Sequence, residues 1–219
     1  MNIAVLFYGR LTNAEEHFNN IRESIGKNNN IDFYLSSDNS PQNLLEEFIN
    51  IYNPIAFSND PIGVNVCNCE DPFNCIKYIP TFEKAPETNI HNMEKHWINK
   101  QRVWKLFQEN KNINYDVILS LRIDLVFQDG FNFEEMEENT IYIPNNFDYR
   151  GINDQVAYGT IKSMEKYMNI DENFCLMLNK GVMINPEVML QEHISIEKLE
   201  VKRFNLRYYI SGYTPIQYI

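Results

Sequence analysis

The sequence predicts an α/β fold with a mostly parallel central sheet, and three observations carry that expectation. Short continuous apolar runs, Ile3-Ala4-Val5-Leu6-Phe7-Tyr8 and Val117-Ile118-Leu119-Ser120-Leu121, have the pattern of strands covered on both faces. Segments with apolar residues at helical spacing alternate with such runs in the first half of the chain, in a β-α-β-α-β order. The connections are long enough for the crossover helices that parallel neighbours require.

The elements follow in order. The first strand is ended by Gly9. Asn13, with Glu16 three residues on, has the form of a capping box, and Phe18, Ile21, Arg22 and Ile25 recur at helical spacing until Gly26. Ile31 to Leu35 reads as a second strand, closed by Ser36-Ser37-Asp38. Pro41 opens a helix with Leu44, Leu45, Phe48 and Ile49 as its apolar stripe, and Ile55-Ala56-Phe57 gives a third strand. Over 58–91 the periodicity disappears, and Pro61, Pro72, Pro80 and Pro86 join three cysteines in a long irregular insertion; connections of that length are usually functional or mobile. Helical spacing returns at Met93, Trp97, Val103, Trp104 and Phe107, residues expected in the core. The next buried strand, from Asp116, delivers Arg122-Ile123-Asp124 at its C-terminal end. Beyond it the order is mixed: a strand at Ile141 to Pro144, helices at Thr160 to Met168 and Pro186 to His193, and a closing strand from Val201 to Ile210. No internal repeat or polar linker divides the chain, which predicts one domain over 1–219.

Composition narrows the function. A chain of 219 residues with 44% hydrophobic residues can bury one sizeable core. Its 19 Lys+Arg against 30 Asp+Glu give a net charge of −11, which opposes a grip on a phosphate backbone and so excludes nucleic acid as the main partner. No stretch approaches the ~18 apolar residues of a membrane span. The N-terminus carries neither a basic leader nor a small-residue cleavage site, so the expected compartment is the cytoplasm. Cys67-x-Cys69-x5-Cys75, with Cys175 remote, lacks paired C-x2-C knuckles. Free thiols are the default there, with a loop zinc assisted by His91, or a disulfide within the loop, as alternatives. The absence of G-x-G-x-x-G after the first strand, of a P-loop and of G-x-S-x-G removes the main support for dinucleotide oxidoreductases, P-loop NTPases and serine hydrolases.

In open α/β sheets, ligands bind outside the carboxyl ends of the strands. Arg10, Asp38, Arg122 and Asp124 all follow predicted strands. A guanidinium holds a diphosphate bidentately, and a carboxylate holds a divalent cation that bridges the same phosphates. Arg122 and Asp124 as a mere surface ion pair is the bland alternative; their place in the apolar run 116–127 favours a function, because buried charges are costly unless paired or bound to an ion. Phe7 and Tyr8, next to Gly9, are candidates to flank a base ring, with a core position for Phe7 as the alternative. Lys100, Gln101 and Arg102 share the Trp97 helix on other faces, and one of them, with Lys100 as the candidate, can reach a pyrophosphate.

The order YDVILSLRIDLVF, then IYIPNNFDYRGINDQVAYGTIKSMEKY, then NPEVMLQEHI, resembles small type A (GT-A) glycosyltransferases, including those of large DNA viruses and of capsular or lipopolysaccharide synthesis. The similarity covers Tyr115 to His193 and, more weakly, IAVLFYGR. It implies a single GT-A, Rossmann-like domain with helices on both sheet faces and a mixed C-terminal part, located in the cytoplasm of the producing or host cell. It also implies transfer of a sugar from a nucleoside diphosphate sugar, UDP-linked, to a hydroxyl acceptor in glycan synthesis. The family motif is usually Asp-x-Asp, binding Mn²⁺ or Mg²⁺ and the sugar nucleotide; Arg122-Ile123-Asp124 is the Arg-x-Asp form. Asp124 then corresponds to the metal-ligating carboxylate, and Arg122 departs from the full pattern. His193 is the candidate to close the metal shell, with a helix-end capping role as the alternative. Gly151-Ile152-Asn153-Asp154-Gln155 matches the acidic segment near sugar and acceptor, with Asp154 as general base and Gln155 as a donor contact; helix capping by Asn153-Asp154 is the alternative. A non-catalytic sugar-nucleotide-binding or partner-docking module is the competing reading, and a nucleotidyltransferase lacks its Gly-rich basic loop after the first strand.

Overall fold

The computed structural model describes residues 1–11, 14–63, 90–133 and 135–211. In chain order the elements are β1 (Asn2–Tyr8), α1 (Ala14–Ile25), β2 (Asn30–Ser36), α2 (Gln42–Tyr52), β3 (Ala56–Ser58), α3 (Ile90–Asn110), β4 (Val117–Arg122) and β5 (Leu125–Phe127), then β6 (Thr140–Pro144), β7 (Val156–Gly159), α4 (Ile161–Met168), α5 (Ile170–Asn179), α6 (Pro186–Glu197), β8 (Glu200–Phe204) and β9 (Tyr208–Ile210). Among the described residues the main sheet has seven strands in the order β3-β2-β1-β4-β7-β6-β8, and β5 pairs with β9 apart from it. All neighbours in the main sheet are parallel except β7, which runs antiparallel to both β4 and β6. The protein is thus α/β with a mostly parallel, mixed sheet, and none of its described helices is long and apolar enough to cross a membrane.

The uninterrupted apolar run of β1 is explained by its central place, because alternate side chains enter two cores. Ala4, Leu6 and Tyr8 join α3, α4, α5 and α6 on one face through Trp97, Trp104, Tyr167, Phe174 and Leu190. Ile3, Val5 and Phe7 join α1 and α2 on the other, through Ile21, Phe48 and Tyr52. Each large apolar side chain removed from water contributes about 1.5–3 kcal/mol, and such burial drives the assembly.

Caps fix several boundaries. Asn185 accepts the Val188 N–H at 3.0 Å to start α6, with Pro186 in its first turn. Thr160 accepts the Ser163 N–H at 3.3 Å to start α4. Asn53 ends α2 in the left-handed region, at φ 46°. The Asn13 cap lies outside the described residues.

Some expectations need correction. The predicted closing strand 201–210 is two strands in different sheets, divided where the Arg207 N–H and guanidinium both bond to Asp129 and draw the chain across to β5. β5, β7 and α5 are additional to the expected elements; α5 follows α4 with a single residue, Asn169, between them. Cys175, on α5, is disulfide-bonded rather than a free thiol, a pairing that spacing alone does not reveal. Cys67, Cys69 and Cys75, and the His91 side chain with them, lie outside the described residues, as does any zinc held there.

One topological fact positions everything that follows. Because β7 is antiparallel, its N-terminal end lies at the sheet edge where β1, β2 and β4 have their C-terminal ends. The segment Gly151 to Gln155 is therefore delivered to Tyr8 and Arg122; the Arg122 N–H bonds to the Gln155 carbonyl at 2.9 Å. The same segment is docked on the start of α6, where the Ile152 N–H bonds to the Glu187 carbonyl at 3.0 Å. A Cβ on Gly151 would lie 2.1 Å from the Glu187 carbonyl, a backbone obstacle that cannot swing aside. Gly151→Ala should therefore lower stability by about 1–3 kcal/mol in urea unfolding. Gly63→Ala, where an added Cβ meets nothing within 4 Å among the described residues, should stay within about 0.5 kcal/mol of the parent.

Candidate active site

The strand ends open on one cleft of about 660 Å³. Gly9 and Arg10 enter it from β1, Asp38 from β2, Arg122 and Asp124 from β4, and Lys95, His96 and Asn99 from one side of α3. Gly9 makes the turn possible. At φ +120° it holds a conformation that side chains rarely adopt, while its N–H stays bonded to the Ser36 carbonyl at 3.2 Å and the chain swings Arg10 into solvent.

Both carboxylates of the cleft are answered. Arg122 forks onto Asp124, Nε to Oδ1 and Nη2 to Oδ2, each at 2.8 Å. Burial pulls the Arg122 guanidinium down, but Asp124 and then Asp154 outweigh it and leave it above its ordinary range. Asp38 accepts from Lys95 Nζ at 2.7 Å and from the Ile62 N–H at 2.8 Å. Burial raises its carboxyl, and these two donors with the Arg102 charge bring it below the usual value. Arg10 makes no ion pair among the described residues, so the cleft is locally positive in a strongly acidic chain.

Asp154 lies beneath this cleft, its side chain only 5% exposed. Its Oδ2 is 3.0 Å from His96 Nε2, and its main-chain carbonyl accepts from the Tyr8 hydroxyl at 2.6 Å and from Lys100 Nζ at 2.7 Å. Burial pushes the Asp154 carboxyl up; His96, Lys100 and Arg122 together overcome it and hold it below the ordinary range. His96 is itself pulled down by burial, with Lys100 and Arg122 adding to the effect and Asp154 opposing it. Its imidazole is therefore neutral at pH 7. His96, 3.0 Å away, is the first of the groups that keep Asp154 ionised, and Lys100 and Arg122 add to it.

Lys100 is wholly buried, with the rings of Tyr8, Trp97 and Tyr167 at 4.8, 5.0 and 4.9 Å from its ammonium and the Tyr167 hydroxyl at 3.1 Å. Burial lowers its pKa to about 8, against the pull of Asp154 and Glu187. Glu187, at the start of α6, is raised to about 7, first by burial and then by Asp154.

The sequence-predicted site residues thus divide. Gly9, Arg10, Asp38, Arg122 and Asp124 share the cleft. Asp154 sits behind it, touching His96. Phe7 is fully buried on the opposite face, stacked on Phe33 at 5.7 Å, and Tyr8 is equally enclosed, so neither flanks a base; the alternation of a doubly covered strand forbids it. Lys100 lies under the cleft floor rather than in it. Gln155 is 4% exposed and joins the site through its carbonyl. His193 is completely buried, with Nδ1 3.1 Å from Asn173 Nδ2 and Nε2 2.8 Å from the Lys166 carbonyl, because this face of α6 packs toward α4 and α5.

The arrangement does not fit a divalent cation held by Asp124 and His193. Asp124 lines the cleft, whereas His193 is completely buried with both ring nitrogens engaged elsewhere, so the two do not share one coordination shell. Sequence reasoning missed the α3 wall. Its signal was present: Asn92, Lys95, His96 and Asn99 recur at i, i+3, i+4 and i+7, a polar stripe on a helix whose other side carries Met93, Trp97 and Trp104. Arg102, on the same helix, is spent on structure, bonding to Ser36 Oγ and to the carbonyls of Ser37 and Asp60.

No protein-family model matches this chain, and no curated protein is significantly similar to it. The site must be read from its own chemistry.

Lys100 provides a test of the buried cluster. With a pKa of about 8 folded against 10.5 unfolded, the unfolded chain holds the extra proton between those values, so stability rises with pH across that window. Urea unfolding should show a gain of about 2 kcal/mol from about pH 7.5 to about pH 9.5. Lys100→Met should flatten that slope.

Proposed function

We propose that the protein is a glycosyltransferase that takes a sugar from a nucleoside diphosphate sugar, UDP-linked, and passes it to a hydroxyl of a glycan acceptor. The observation that carries this reading is the positive cleft at the carboxyl ends of β1, β2 and β4, where Arg10, Lys95 and Arg122 gather in a chain of net charge −11. Negative charge grows on the departing diphosphate during sugar transfer, and fixed cations aimed at it lower the barrier most. A volume of about 660 Å³ falls within the ~300–1,000 Å³ of small-molecule sites. The sheet order, with antiparallel β7 bringing the 151–155 segment to the same edge, supports the type A architecture that the sequence resemblance implies.

In this reading Arg10 meets the diphosphate directly, since no carboxylate competes for it among the described residues. Arg122 and Lys95 face the same anion while paired with Asp124 and Asp38, and the acceptor approaches from the side of His96 and Asp154. The cleft's own cations carry the charge stabilisation. Titration in the presence and absence of Mn²⁺ separates direct recognition by guanidinium and ammonium groups from cation-bridged recognition through Asp124.

Calorimetric titration with UDP-sugars should give saturable binding. Arg10→Ala should weaken it about 10-fold to 100-fold, the worth of one charged hydrogen bond, with an unchanged urea midpoint. Release of UDP on incubation with hydroxyl acceptors should accompany binding. Failure to bind any nucleotide sugar, with or without Mn²⁺, would refute the reading; tight binding without turnover on any acceptor would favour a binding module.

A further inference from the structure

We propose that His96, and not Asp154, takes the proton from the acceptor hydroxyl, and that Asp154 is a positioning residue behind it. This rests on the reading of the cleft as a site of sugar transfer. A proton acceptor must come within about 2.6–3.2 Å of the group it deprotonates, or reach it through one water. Asp154 fails that requirement: it is 4% exposed and is not among the residues that line the cleft. His96 lines the cleft and touches Asp154, with Nε2 3.0 Å from Oδ2.

The carboxylate biases what the ring presents. Asp154 Oδ2 lies 3.0 Å from His96 Nε2 without the alignment of a hydrogen bond, and its negative charge favours the proton on Nε2, which leaves the lone pair on Nδ1. The ring is held in place by edge contacts to Tyr8 at 5.2 Å and Trp97 at 4.7 Å. Asp154 is held in turn by its carbonyl, fixed between the Tyr8 hydroxyl and the Lys100 ammonium. The groups facing His96 are Tyr8 from β1, Arg122 from β4, Asp154 from the segment before β7, and Lys100 from its own helix. The two cations disfavour imidazolium and the carboxylate favours it, and the ring rests neutral, ready to receive a proton.

In the step itself, the acceptor oxygen forms a bond to the anomeric carbon and its proton passes to His96 Nδ1. The bond from that carbon to the diphosphate oxygen breaks, and its electron pair stays on the diphosphate beside Arg10. The products are the glycoside, the nucleoside diphosphate and an imidazolium, which returns its proton to solvent.

The test uses the full chain, with UDP as the binding probe and transfer from UDP-sugars to hydroxyl acceptors followed from about pH 5 to pH 9. His96→Gln keeps an amide donor for Asp154 and loses the proton acceptor. It should bind UDP within about threefold of the parent while kcat falls about 10²-fold to 10⁴-fold and the acid limb of the pH profile disappears. Asp154→Asn should move that limb to lower pH, because the carboxylate supports imidazolium; a purely structural role would leave the limb in place. Nitrogen-15 spectra of the unsubstituted protein should show His96 protonated at Nε2. Transfer by His96→Gln within about threefold of the parent, an unmoved limb in a folded Asp154→Asn, or an Nδ1-protonated ring would each overturn the proposal. No UDP binding by the parent would remove the transferase reading and this role together, whereas binding and turnover indifferent to His96 would remove this role alone.

Discussion

The main-chain carbonyl of Asp154 is the point on which the site depends. Two donors from different elements converge on it, the Tyr8 hydroxyl of β1 at 2.6 Å and the Lys100 ammonium of α3 at 2.7 Å. A buried ammonium is expensive to desolvate, and here three aromatic rings and the Tyr167 hydroxyl offset part of that cost. What remains appears as the lowered Lys100 pKa. In exchange, the segment before β7 is tied to both β1 and α3. The Asp154 side chain lies against His96, with Oδ2 3.0 Å from Nε2.

The cleft shows how an acidic chain presents a positive face without shedding its carboxylates. Asp38 and Asp124 both line it, and each is neutralised by a neighbour that lines it too. The Arg122 fork is the stronger arrangement, since a planar guanidinium matches a carboxylate at two points while Lys95 is a single point charge. Arg122 also feels Asp154 across the cleft floor. One guanidinium thus links the open side of the cleft, through Asp124, to the buried carboxylate of Asp154 beneath it.

Much of this was legible from the residues, for definable reasons. Continuous apolar runs revealed β1 and β4, because a doubly covered strand leaves no polar face to confuse the pattern, and the charges at their ends were placed by topology alone. Asp154 was also found, yet its burial was not, since nothing in Gly151 to Gln155 says that this turn docks against α6 and closes over its own carboxylate. Phe7, Tyr8 and Lys100 misled for a related reason: nearness in sequence to a strand end or a polar helix face does not fix which side of the sheet a side chain enters. His193 misled because a histidine near a helix end reads alike whether it faces a cleft or, as here, Asn173 and a backbone carbonyl. β7 escaped notice because four residues, one of them glycine, are too few to display a period.

The electrostatics of the two halves reinforce one another. Burial first, and then Lys100 and Arg122, lower the His96 pKa and so limit its basicity, against the pull of Asp154. On the proposed reading, a diphosphate seated against Arg10 and Arg122 would add negative charge near the ring and offset part of the field of those cations. By Coulomb's law that would favour imidazolium and make His96 a better proton acceptor once a donor is bound. The coupling is reciprocal: a protonated His96 holds the anionic diphosphate more tightly than a neutral one. On the proposed reading, loss of the proton to solvent after transfer would then weaken the grip on the product, so the group that accepts the proton would also help to release the nucleotide.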